Sequence, residues 1–178
     1  MKKVLFILLA LTLSLSKGFS KDEVDYSLLK GVSTYNYSFD FSAFKINKIA
    51  AKDYVDMKLN IPYEKFSSSF QNILLSSANE NMKSLSISNE APSDVELNFL
   101  PTSADQDGEH TIMCKVVYKP TDMLILSFEI NTNGGDDDKF QEELMKGLNK
   151  SGKKLAKQLE KIKILSEKSP KNRHILLL

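Results

Sequence analysis

The chain has 178 residues, 42% hydrophobic and 26% charged, with a formal net charge of +1. That length and mix suit one globular domain with a single core, and exclude a largely disordered chain. The near balance of charge excludes a global field for nucleic acid, and the sole cysteine, Cys114, excludes an intramolecular disulfide.

Lys2 and Lys3 precede an apolar run from Val4 to Leu15 that only Thr12 and Ser14 interrupt. A basic start, a short apolar run and small residues at a cut define a secretory signal, and the run falls short of the roughly 20 residues that span a bilayer. Gly18 and Ser20 before Lys21 suit the cut, as do Ser14 and Ser16 before Lys17. We assign residues 1–20 as the signal and 21–34 as a lead segment. The alternative, a retained amphipathic or anchoring helix, is opposed by Lys17, Lys21, Asp22 and Glu23, which close the run. Cleavage would remove Lys2, Lys3 and Lys17 and no acid, taking the net charge from +1 to about −2. The expected mature protein is soluble or peripheral to a membrane, either periplasmic or secreted.

From Tyr35 to Phe41 every odd position is aromatic while Asn36, Ser38, Asp40 and Ser42 are polar, the period of a half-buried strand. Pro62 suits a helix start, and Phe66, Phe70, Ile73, Leu74 and Ala78 recur at helical spacing, predicting a helix over about 62–83. Ala50 to Met57 reads as a short helical turn. Val95, Leu97 and Phe99 alternate with Asp94, Glu96 and Asn98, and a turn cluster at 103–108 separates them from Ile112, Cys114, Val116 and Tyr118, which reads as a hairpin. Lys119-Pro120-Thr121-Asp122 predicts a tight turn into a further strand, Met123 to Ile130. Gly134-Gly135 ends this meander, and Asp136, Asp137 and Asp138 offer oxygens to cap a helix.

That helix carries the clearest pattern. At about 100° per residue, Leu144, Leu148, Leu155, Leu159 and Ile162 fall within one arc, and Lys146, Lys150, Lys153, Lys154, Lys157 and Lys161 fall opposite. Gly152 lies at the edge of the apolar stripe, where a missing side chain lets the helix approach a sheet closely. The pattern fails from Ser166, predicting a basic tail over 166–178. The element order is β-α-β-β-β-α. We therefore expect an α+β domain over 35–165, with a four-stranded mixed sheet and two helices on one face. The aromatic side of the first strand should face those helices.

The chemistry-bearing residues are few. His110 and Cys114 are four residues apart on one strand, about 13 Å, too far for a nucleophile and its base. We expect Cys114 to be buried and His110 exposed, and no catalysis. The run from Asn131 to Asp138 has the oxygen density of a calcium loop but lacks its closing glutamate, and helix capping accounts for the same acids. Asp136, Asp137 and Asp138 are thus the metal candidates, with no metal or other cofactor assigned. Between Lys146 and Arg173 there are ten basic residues and two acids. A functional reading makes the six lysines of the helix a surface for an acidic partner or for anionic lipid headgroups; the alternative is a solvated outer face. Export removes the usual nucleic-acid substrate and no aromatic side chains interleave the lysines, so nucleic acid is not expected as a partner.

Gly134-Gly135, Phe140, Gly147 and Ser151-Gly152-Lys153-Lys154-Leu155-Ala156-Lys157, with the early Phe39-Asp40-Phe41-Ser42, give the chain a resemblance to small exported α/β proteins of unknown function from Gram-negative bacteria. The aspartate triplet departs from that pattern. The resemblance implies an envelope address and a compact α/β domain, and it carries over no catalytic residue. The expected role is that of an exported accessory protein of the cell envelope acting by binding another protein, with a peripheral, anionic-lipid-binding domain as the alternative.

Overall fold

The first strand forms where the aromatic alternation places it. In a computed structural model that describes Val24 and residues 26–168, β1 runs Thr34–Phe39, and its odd positions point into the core. After it come a short hairpin, β2 Lys45–Ile46 and β3 Ile49–Ala50, and a single turn, α1 Ala51–Tyr54, that continues as a π-helical turn Val55–Leu59. Helix α2 then spans Tyr63–Asn81, and β4 is Ser86–Ile87. The meander is β5 Val95–Ala104, β6 His110–Tyr118 and β7 Met123–Thr132. A 3₁₀ turn at Asp137–Lys139 leads into α3, Phe140–Lys168. The expected signal, residues 1–20, and most of the expected basic tail lie outside the described residues.

The sheet is mixed, as expected, but among the described residues it has seven strands rather than four. The three additional strands are two residues long, too short to show a period of two. Asn47 and Lys48 both adopt positive φ (50° and 68°), the backbone that a two-residue hairpin turn needs, without the glycine that usually announces one. Strand β5 is central: β1 and β2 pair with it in parallel and β6 antiparallel, β4 lies beside β1, and β7 closes the other side, paired among the described residues only with β6.

Both long helices sit on one face. Leu97 and Phe99 of β5, Ile112, Cys114 and Val116 of β6, and Ile130 of β7 are buried beneath them. The aromatic side of β1 does face the helices: Phe39 stacks on Phe99 at 4.7 Å, and Phe41 meets Phe70 of α2 edge-on at 5.4 Å. Asn36, read as an outward polar residue, is instead buried. Its amide donates to the carbonyls of Ser88 and Ala91 and accepts from the Ser93 amide, which holds the loop between β4 and β5 against β1.

Gly152 corrects a second expectation, because it meets the other helix and not the sheet. A Cβ there would lie 2.6 Å from the Leu74 carbonyl oxygen and 2.8 Å from the Ala78 nitrogen, so α2 and α3 touch through backbone. Leu155 and Leu159 of α3 are fully buried on the sheet side. We expect Leu155→Ala to lower unfolding free energy by about 2 to 5 kcal/mol, read as a fall in the urea midpoint.

Helix α3 also runs past the end of its apolar pattern. Ser166 is buried in it, with its hydroxyl donating to the Lys163 carbonyl, and Leu29 of an N-terminal 3₁₀ turn, Tyr26–Leu29, packs into the same core.

Candidate binding surface

A 29-residue helix with one buried stripe must leave the opposite stripe to solvent, and in α3 that stripe is basic. Lys146, Lys150, Lys153, Lys154, Lys157 and Lys161 are all exposed along it, as the spacing predicts. They are not equivalent. Lys146 pairs with Glu142 at 2.7 Å and Glu143 at 2.9 Å, which hold its ammonium above the ordinary lysine range and neutralise it. Lys154 donates to the Asn131 carbonyl of β7. Among the described residues, Lys150, Lys153, Lys157 and Lys161 have neither a hydrogen bond nor an ion pair, so their charge is available to a partner.

Glu160 stands among these lysines on α3, and it is already engaged. Burial raises its carboxyl, but hydrogen bonds from the Lys83 and Ser84 amides and the Ser84 hydroxyl outweigh that, and the net direction is down. It anchors the chain just after α2 and leaves the free lysines unpaired.

The acidic turn before α3 acts locally. Asp136 accepts from the Asp138 amide at 3.1 Å, capping the 3₁₀ turn, and pairs with Lys139 at 3.6 Å. Among the described residues no three His, Cys, Asp or Glu side chains come together as metal ligands would.

His110 departs from expectation: it is 1% exposed, not a surface residue. It begins the inward-facing series continued by Ile112, Cys114 and Val116, so the period of two that built the hairpin also placed it inside. Its Nδ1 lies 3.0 Å from the Gly108 carbonyl and its Nε2 2.9 Å from the Ser151 hydroxyl. The carbonyl can only accept, so Nδ1 carries the hydrogen and Nε2 accepts from Ser151. Thr132 of β7 closes the cluster with Oγ1 3.0 Å from Nδ1. Ser151 is missed by a reading of apolar spacing alone, yet it falls inside the apolar arc of α3, where a hydroxyl needs a partner. Gly147, one turn earlier, makes room: a Cβ there would stand 2.8 Å from the imidazole Cε1.

A serine hydroxyl bonded to an imidazole has the chemistry of a nucleophile and its base. Here both are sealed, Ser151 is wholly buried, and the imidazole is oriented by a carbonyl. The cluster ties β6, β7 and α3 together. Cys114 is likewise buried, and desolvation pushes its thiol far up, away from the reactive thiolate.

Burial pushes the His110 pKa down, the Gly108 carbonyl opposes this, and the charge of Lys154 adds to the fall. The unfolded chain therefore takes up a proton near the ordinary value of about 6.5 while the native state does not, and stability declines as pH falls through that value. We expect the unfolding free energy from urea titration to drop between pH 7.5 and 5.5, by at most about 1.4 kcal/mol per pH unit, and His110→Asn to flatten that slope. An unchanged slope would show that His110 titrates alike in the native and unfolded chains.

No family model matches the chain, and no curated protein matches it. Solved structures similar to the chain at a low level include the following three. A Xanthomonas campestris protein of the DUF330 family is 10% identical with a TM-score of 0.38 over 57% of this chain, which spans 63% of that protein's length. An uncharacterised protein is 14% identical with a TM-score of 0.42, covering 73% of this chain and 93% of its own. A proposed neuraminyllactose-binding hemagglutinin homologue from Helicobacter pylori is 18% identical with a TM-score of 0.40, covering 79% and 89%.

Proposed function

We propose that this chain is an exported accessory protein of the cell envelope that works by binding another protein through the basic face of α3. The observation that carries this reading is the set of four exposed lysines, Lys150, Lys153, Lys157 and Lys161, with no partner among the described residues. They stand on a helix whose opposite side is fixed in the core. Such a rigid row of like charge attracts an acidic surface and selects against basic ones. Export rests on the basic start and apolar run of residues 2–15. Among the described residues no helix is long and apolar enough to cross a membrane. The test is crosslinking in the native cells followed by recovery of the tagged chain. A defined protein crosslinked through those lysines supports the reading, and recovery of the chain alone contradicts it.

One feature favours the second reading, a peripheral domain on anionic lipid. Ile164 is 50% exposed within the lysine stripe, an apolar side chain placed where a headgroup layer would take it. Sedimentation with vesicles separates the two. Binding that rises with acidic lipid and weakens with salt supports lipid, and none supports a protein partner.

A further inference from the structure

Among the described residues strand β7 pairs on one side alone, and its edge is thinly guarded. Long edge strands are ordinarily protected by charges, proline, bulges or a covering element. Here a bulge leaves Ile125 without a partner in β6, and Glu129 is the only charged residue of the strand. Met123 and Leu124 are 43% and 52% exposed, and Leu126 and Phe128 are only partly covered.

The hydrogen bond from Lys154 to the Asn131 carbonyl reveals which backbone groups point outward. In an antiparallel strand the N–H and C=O of one residue point the same way, and alternate residues share that direction. Ser127 and Glu129 therefore present both groups to solvent. Along this edge runs a groove of about 310 Å³, walled by Phe128, Glu129, Ile130 and Asn131 of β7 and by Lys154 and Gln158 of α3. Lys161, seven residues after Lys154, lies on the same flank, about 10 Å further along the helix.

We propose that this edge takes an extended, acidic segment of the partner protein as an added strand. The inference rests on the protein-binding reading and specifies its geometry. Backbone bonds to Ser127 and Glu129 fix the strand, an apolar side chain packs against Phe128, and acidic side chains on the helix-facing side reach Lys161 and Lys154, whose ammonium keeps its charge while bonded to a neutral carbonyl. A second copy of this chain is the poorer occupant, because edge-to-edge pairing would bring the Lys154 and Lys161 flanks of both copies to one seam.

The test is selection of short random-sequence peptides on the immobilised full chain, followed by amide exchange with the peptides recovered. The expected peptides are acidic and extended, and they slow exchange at Ser127 and Glu129. Their affinity falls about two- to thirtyfold with Lys154→Gln and Lys161→Gln together, and the loss shrinks with salt. Ser127→Pro removes an outward N–H and no bond to β6, so it should abolish binding; the paired lysine variant serves if the proline disturbs the fold. No enrichment, basic peptides, peptides indifferent to both variants, or Ser127 and Glu129 amides already protected by self-association would each overturn the proposal. A protein captured in cells that leaves exchange at Ser127 unchanged overturns strand addition alone, whereas no captured protein overturns the binding reading itself.

Discussion

Phe70→Ala should destabilise the chain by about 3 to 5 kcal/mol, a large share of the 5 to 15 kcal/mol that a domain has. Phe70 is buried in α2 and its ring meets four others at 5.4 to 6.4 Å: Phe41, Phe44, Phe66 and the imidazole of His110. Those neighbours come from β1's extension, the β1–β2 connection, α2 itself and β6. Truncation therefore leaves a void bounded by elements that cannot all collapse into it. Urea unfolding should show a much lower midpoint. A loss under about 1 kcal/mol would mean that the aromatic cluster repacks freely and does not fix α2 on the sheet.

Gly152→Leu should cost about 3 kcal/mol, the upper end for overpacking, although leucine is the better helix former by almost 1 kcal/mol. The contacts decide the sign. The new Cβ would stand 2.6 Å from the Leu74 carbonyl oxygen and 2.6 Å from the Ser77 Cβ, and helix backbone cannot turn aside as a side-chain tip can. The helices must separate, which also strains the bond from the Ser77 hydroxyl to the Asn149 carbonyl, 2.7 Å long. Thermal unfolding of the variant would measure this, and a raised midpoint would show that the contact between α2 and α3 is looser than the geometry requires.

Periodicity made most of this architecture legible. The alternations at 35–41 and 95–99 became β1 and β5, the apolar series after the turn became β6, and the helical spacings became α2 and α3. The short strands carried no such signal. β4 is held by Asn79, whose amide oxygen accepts from the Ile87 amide at 2.8 Å while its amide nitrogen donates to the Ile87 carbonyl, a tertiary link with no local pattern. The lysine face was readable because it is the complement of the apolar stripe. Its inequivalence was not, since the Lys154 contact with Asn131 joins residues 23 apart in the chain. His110 shows the opposite case. The alternation placed it inward, but a polar residue at a strand end next to a turn invites a surface assignment, and its partner Ser151 lies 41 residues away.

The free lysines serve either partner binding or solvation alone. The most direct measurement is the variant with Lys150, Lys153, Lys157 and Lys161 changed to Gln, assayed both for stability and for partner capture in the native cells. Exposed charges away from packing contribute within about 0.5 kcal/mol, so the unfolding midpoint should hold while capture is lost. Capture that persists at full strength in this stable variant would contradict the account.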